Sequence, residues 1–403
     1  MISLALRNIL RKKTHTAMTL AAITCGVAGL IIAGGWVNDV YLQLGEALIH
    51  SQSGHLQVYQ RGFYAAGART PEKYLILNPS EVKGQIESSE GIDAVMARLN
   101  FAGLLNNGRT DLPVIGEGVE PGQEAKLGTF VQMINGRRLA EKDGFGIEVG
   151  QGLAKALKLS PGDSVNVVTN TLEGALNNLE FEVVGIFQSF SSEYDSRAIK
   201  IPLAAAHELM ATKSVNALVV TLKKTSDTDQ VASQLRTKLA ASNLEVKTWV
   251  ELNDFYGKTV DLYKQQFGVL QLIILFMVLL GVANSVNMSV FERVGEFGTM
   301  MSLGNRSGHV FRLILTECIL LGLIGSTVGV VVGVTLSLGI SAVGIPMPPP
   351  PNANLGYTAR IQIIPSVVLG SFVIGFIATV LAAIVPARRA CRTPVVEALR
   401  HNI

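Results

Sequence analysis

The chain has 403 residues, of which 48% are apolar and only 16% are Asp, Glu, Lys or Arg. Its mean hydropathy is +0.37. Soluble domains average about 25% charged residues, so this composition excludes an ordinary soluble protein. A net charge of +3, with no Lys/Arg run interleaved with aromatics, argues against nucleic acid as a partner. The cysteines are Cys25, Cys318 and Cys391, and none falls between Trp36 and Phe267. A disulfide framework is therefore excluded for that long middle stretch, and no Cys/His cluster has zinc spacing.

Residues 1–16 carry Arg7, Arg11, Lys12 and Lys13 and read as a cytoplasmic N-terminal segment. Residues 17–37 form the first of four apolar runs near the ~20 residues that span a bilayer as helix. This run exceeds the usual 7–15 residues of a signal-peptide core. Ala22-Ile23-Thr24 does not fit a lipoprotein cleavage site before Cys25. An uncleaved span is expected.

Residues 38–267 follow as a large polar segment. Turn pairs punctuate it: Asn107-Gly108, Pro121-Gly122, Asn135-Gly136, Asp143-Gly144 and Pro161-Gly162. Strands are expected at 164–169 and 180–187. Helices are expected at 152–159 and 203–210, so the segment reads as an α+β domain. Its ends, 38–50 and 251–266, read as helical stalks or as ordinary amphipathic helices under the domain.

The remaining spans are expected at 268–290, 313–340 and 366–385. They are separated by a loop at 291–312 and a Pro-rich loop at 341–365, and followed by a tail at 386–403. Arg293, Arg306 and Arg312 mark the first loop as cytoplasmic, and Arg388, Arg389, Arg392 and Arg400 do the same for the tail. The Pro-rich loop holds only Arg360, so it and the α+β domain are placed outside. The fold class is thus a membrane domain of four transmembrane helices with a large extracytoplasmic α+β domain between the first and second.

Catalytic motifs are missing. Gly257-Lys258-Thr259 resembles the end of a phosphate-binding loop, but Leu252 stands where the first Gly is required. There is no G-x-S-x-G and no H-E-x-x-H. Glu317 is the acid well inside the third span, near Arg312, and packing or interface anchoring is its expected role. Asn284 and Asn287 are expected to line a cavity or to bond a neighbouring helix. Gly325, Gly329 and Gly333 recur at spacing four and allow close helix approach, with intramolecular packing preferred to dimerisation.

The most specific stretch runs from Phe291-Glu292-Arg293 through Gly295-Glu296-Phe297-Gly298 to Leu303-Gly304-Asn305-Arg306. It resembles the E-R-x-x-E-[IF]-G-x-x-x-x-x-G coupling element of FtsX/MacB-type ABC permeases. Val385-Pro386-Ala387-Arg388-Arg389 and Pro394-Val395-Val396-Glu397-Ala398-Leu399-Arg400 are similar to that family's ending. Gly150-Gln151-Gly152-Leu153-Ala154 with Leu159-Ser160-Pro161-Gly162-Asp163 resembles a segment of the Lol-type lipoprotein-releasing permeases. So do Val183-Val184-Gly185-Ile186-Phe187 and Tyr194-Asp195-Ser196.

The resemblance implies a non-catalytic permease subunit in the inner membrane, with both termini cytoplasmic. Two copies of a cytoplasmic ATPase would carry ATP and Mg, and no cofactor would sit on this chain. A second permease chain would complete a homodimer or heterodimer within membrane lipids. A periplasmic carrier or adaptor is a further partner to consider. Glu292, Arg293, Glu296, Phe297, Met300, Met301 and Gly304 would form the ATPase contact. Glu292 and Glu296 would share one helix face, Phe297, Met300 and Met301 would seat in a groove on the ATPase, and Gly304 would end the helix. The implied cargo is a lipoprotein or lipid-anchored molecule. Alternatives are export of peptides or small amphiphiles, and FtsX-like regulation of a cell-wall hydrolase.

Overall fold

The protein is described by a computed structural model covering residues 2–11, 13–67, 71–349, 353–354 and 356–392. The motif at 394–400 lies outside the described residues. The chain divides into two compact units. A helical unit comprises Met1–Tyr41, Thr259–Pro346 and Thr358–Ile403, and an inserted unit comprises Leu42–Lys258 and Met347–Tyr357.

The chain opens with α1 (Ile2–Arg11) and the 36-residue α2 (Lys13–Leu48), which ends in a π-turn at Ile49–Ser53. Helix α2 runs unbroken through the first apolar run and most of the stretch read as a stalk. In the inserted unit come β1 (Leu56–Gln60), α3 (Phe63–Ala66), α4 (Pro79–Glu87), β2 (Ile92–Asn106), β3 (Asp111–Val119), α5 (Pro121–Leu127), β4 (Gln132–Gly136) and β5 (Gly146–Gly150). Next are α6 (Gln151–Leu157), β6 (Ser164–Asn170), β7 (Leu176–Gln188), α7 (Ser192–Asp195), β8 (Ala198–Pro202), α8 (Leu203–Leu209), β9 (Ala217–Leu222), α9 (Thr228–Lys238), β10 (Leu244–Thr248) and α10 (Trp249–Leu252).

These strands form one sheet in the order β10-β1-β9-β2-β3-β8-β5-β7-β4, with β6 paired to β2 and β7. Residues two apart along β2 share a face, so the 15-residue length of this strand, rather than a change of face, lets it serve two cores side by side. Val95 and Ala97 pack with α4 and α9, whereas Leu99, Phe101 and Leu105 pack with α6 and α8. The opposite face carries charge. Glu117 on β3 pairs in register with Lys200 on β8, which lies opposite Glu148 on β5. Arg98 on β2 and Glu124 on α5 complete a buried cluster. Arg98 Nη2 and Lys200 Nζ reach Glu124 at 2.9 and 2.5 Å. Burial works against ionisation of Glu124, yet these two cations hold its carboxyl at about 2. Burial pushes the Glu148 carboxyl up.

The helical unit resumes with α11 (Asp254–Glu292), α12 (Val294–Ser302), α13 (Ser307–Val343) and α14 (Pro365–Arg392). A short pair, β11 (Ile345–Met347) and β12 (Tyr357–Ala359), joins α13 to α14. Among the described residues, four helices are long and apolar enough to cross a membrane.

Glycines bring them into contact. A Cβ added at Gly325, Gly329 or Gly333 of α13 would lie 3.0, 2.8 or 3.0 Å from Ile23, Val27 or Ala28 of α2. On α2 itself, a Cβ at Gly26 would lie 2.3 Å from Val278 of α11. Between helices with no hydrophobic driving force in lipid, such close van der Waals approach is the main source of association.

Gly329→Ile should therefore lower the melting midpoint of the detergent-solubilised chain, reflecting about 1–3 kcal/mol of overpacking. Gly339→Ile, at a position where an added Cβ meets nothing within 4 Å, is the control. Equal midpoints for the two variants would remove the packing role of Gly329.

Candidate coupling site

Helix α11 stops at Glu292, and Arg293 turns the chain with φ −109° and ψ 11° before α12 begins. Helix α12 then closes on itself. Gly304 takes φ +94°, a conformation open to glycine but strained for other residues. Its N–H donates to Met301 O at 3.1 Å, and Asn305 N–H donates to Met300 O at 3.1 Å, the paired bonds of a Schellman end. The turn projects Leu303, which is 81% exposed.

Arg293 lies at the centre of a polar network. Its side chain is only 8% exposed, and Nη1 lies 2.7 Å from Glu317 Oε2 on α13. Its Nε donates to Glu296 Oε2 at 3.2 Å. The guanidinium also sits 4.8 Å from the Phe297 ring centroid, a cation–π contact. Glu317 accepts a second bond from Asn8 Nδ2 of α1 at 2.6 Å. Glu296 Oε1 accepts from Arg11 Nη2 at 2.9 Å, and Glu292 Oε1 lies 2.9 Å from His15 Nε2 on α2. Side chains of α12 and the turn before it are thereby bonded to α1 and α13. A cavity of about 50 Å³ adjoins this network, lined by Asn8, His15, Thr19, Ser285, Arg293 and Glu317 among others. Its volume and polar lining suit a few ordered waters. The Thr19 and Ser285 hydroxyls bond to each other beside it.

Several expectations are corrected. Phe297 is 2% exposed and packs among Val282, Val286, Val310 and Ile314, so it is a core residue of the helical unit and is not free to seat in a partner. Met300 and Met301 are half-buried against the same core. Arg293 faces inward to Glu317, whose carboxylate offsets part of the cost of burying the guanidinium. Glu292 and Glu296 do not share a helix face, because the turn at Arg293 puts them on α11 and α12. Asn284 and Asn287 are exposed on α11; Ser285, one position along, lines the cavity beside Arg293. Glu317 lies near Arg312 in sequence, but it bonds to Arg293 and Asn8. Sequence reasoning overlooked Asn8, Arg11 and His15; the one available signal was the polar residues spaced along the N-terminal helical stretch.

Comparison with known proteins identifies the family. Residues 16–238 match the MacB-like periplasmic core domain, and residues 268–395 match the FtsX-like permease C-terminal domain. The chain belongs to the FtsX/MacB-type ABC transporter permeases. Relatives of this family align along nearly its whole length. An uncharacterized ABC transporter permease of Methanocaldococcus jannaschii is 22% identical over 99% of this chain and 97% of its own. The lipoprotein-releasing system transmembrane protein LolC of Neisseria meningitidis serogroup B is 23% identical over 96% of this chain and 94% of its own. The pyoverdine export ATP-binding/permease protein PvdT of Pseudomonas syringae pv. tomato is 23% identical over 99% of this chain, which spans only 59% of that longer protein. Among solved structures, the periplasmic region of MacB from Actinobacillus actinomycetemcomitans overlaps 53% of the chain at 14% identity, with a TM-score of 0.37. This permease is a multi-pass membrane protein of the MacB/LolC type.

Removing Arg293 leaves Glu317 buried without a cation, and removing Glu317 leaves Arg293 only the partly exposed Glu296. Arg293→Met or Glu317→Met should each cost about 3–5 kcal/mol. The double variant Arg293→Met/Glu317→Met should recover part of that loss in a thermal melt. Strictly additive losses would show that the two side chains do not interact.

Proposed function

We propose that this permease subunit turns ATP hydrolysis by a separate cytoplasmic ATPase into movement of its inserted domain. Two ATPase copies and a second permease chain complete the assembly, with ATP and Mg bound on the ATPase. The observation that carries the reading is the bonding of α12 through Arg293 and Glu296 to Glu317 of α13 and Arg11 of α1. A force applied at the α12 turn reaches α13 through a buried ion pair, whose partners cannot separate without a large desolvation cost. The contact surface is then the exposed turn at Leu303, Asn305 and Arg306, with Gly304 shaping it. Phe297 holds that turn from inside.

The termini and the α11–α13 loop lie in the cytoplasm, as the Lys/Arg distribution requires. The inserted domain lies outside and acts there on cargo. Likeness to LolC favours a lipoprotein or lipid-anchored molecule leaving the membrane. Likeness to PvdT supports a second reading, export of a small amphiphile with a periplasmic adaptor.

Leu303→Asp should abolish ATPase copurification while leaving the melting midpoint within the range of ordinary surface changes, about ±0.5 kcal/mol. Phe297→Asp should instead lower the midpoint steeply, because a carboxylate enters an apolar core without a partner. Copurification that survives Leu303→Asp would move the contact elsewhere.

Orientation is checked by membrane-impermeant thiol labelling of intact cells. Asn170→Cys should label from outside and Asn305→Cys only after permeabilisation; labelling of both from one side would refute the topology.

A further inference from the structure

The sequence between α13 and α14 reads as a Pro-rich loop, but its two ends are held in different ways. At the membrane ends, within the helical unit, Ser341 Oγ accepts from Ile361 N at 2.9 Å. Buried Asp39 of α2 accepts from Arg360 N at 2.8 Å and Gln362 Nε2 at 3.0 Å. The tip, which belongs to the inserted unit, is seated beside α7. Ala353 bridges Ser191 in antiparallel fashion. Asn354 N donates to Phe190 O at 2.9 Å, and Asn354 Nδ2 donates to Asp195 Oδ2 at 2.6 Å.

The seat itself is built rather than incidental. Asp195 is 1% exposed, and both its oxygens accept from Ser189 N at 3.0 Å. A Cβ at Gly150 would lie 2.3 Å from Asp195 O, so α7 is pressed onto the end of β5. Neighbouring Tyr194 is buried beside Glu117 and Arg98. Arg98 Nη1 in turn donates to Gln52 O, in the π-turn that continues α2, at 2.8 Å. The seat and the exit of α2 thus meet at one buried cluster. The tip residues Ala353 and Asn354 bring no large apolar side chain, so the seat can part without exposing core.

We infer that the α13–α14 connection is a strap that carries movement of the third and fourth spans into the inserted domain, with Asn354 on Asp195 as its reversible seat. The strap is a tether separate from α2 and α11. The inference rests on the permease reading for its coupling role, although the seat exists independently of it.

The test uses the full chain in nanodiscs, with and without copurified ATPase, and amide hydrogen exchange as readout. Asn354→Ala and Asp195→Ala should each speed exchange of the strap peptide at least tenfold while leaving β2 and β9 unchanged. With ATPase bound, a non-hydrolysable ATP analogue should alter exchange in the inserted domain, and both variants should cut that response to a third or less. In a background with Cys25, Cys318 and Cys391 replaced, the pair Ser191→Cys/Ala353→Cys, oxidised to a disulfide, should restore the response to Asn354→Ala. Unchanged strap exchange in both variants, or a full nucleotide response with the strap unseated, overturns the proposal. Failure of the unsubstituted chain to retain any ATPase counts against the permease reading, while the exchange of the strap alone still decides the seat.

Discussion

A guanidinium buried at the foot of the helical unit sets the terms for what surrounds it. Arg293 has a side chain only 8% exposed, so its guanidinium is largely withdrawn from bulk water. It must therefore find carboxylates, and it finds Glu317 on α13 and Glu296 on α12. Satisfying Glu317 draws in Asn8, and satisfying Glu296 draws in Arg11, both from α1. Helices α1, α12 and α13 are thus joined through one set of side chains. The buried Arg293–Glu317 arm of this network is expensive to break in part, whereas the Arg11–Glu296 arm is exposed.

Packing along the rest of the helical unit follows a different rule. Lipid offers no hydrophobic gain for helix association, so contact depends on how closely backbones approach. The glycines of α13 against α2, and Gly26 of α2 against α11, supply that approach. Helix α11 is less enclosed than the others, with Phe276, Met277 and Leu280 exposed along with Asn284. The inserted unit solves the opposite problem. It buries two apolar cores on one face of a sheet and a five-residue charge cluster on the other, where Arg98 and Lys200 offset Glu117, Glu124 and Glu148.

Much of the architecture is legible without coordinates. The four apolar runs and the intervening α+β domain follow from hydropathy and turn residues, and the elements expected at 164–169, 180–187, 152–159 and 203–210 overlap β6, β7, α6 and α8. The E-R-x-x-E-F-G stretch is distinctive enough to point to the family. These features are local: each depends on residues within a few turns of one another, and sequence spacing reports them directly.

What sequence spacing could not report is which way a side chain faces once helices pack. Phe297 and Arg293 have the look of a contact surface in a linear loop, yet the turn at Arg293 rotates both into the core and leaves Leu303 outside. Asn284 and Ser285 are adjacent, and only the packing of α2 against α11 decides that the serine faces inward. The partners of Glu317 come from residues 24 and 309 positions away, and the Pro-rich loop meets Asp195 across 159. The sequence by itself determined the spans, the inserted domain and the family. Tertiary structure alone decided the ion pairs, the buried face of α12 and the seat of the strap, because a charge placed out of water needs an opposite charge or a hydrogen-bonding group close in space, however far away that group is along the chain.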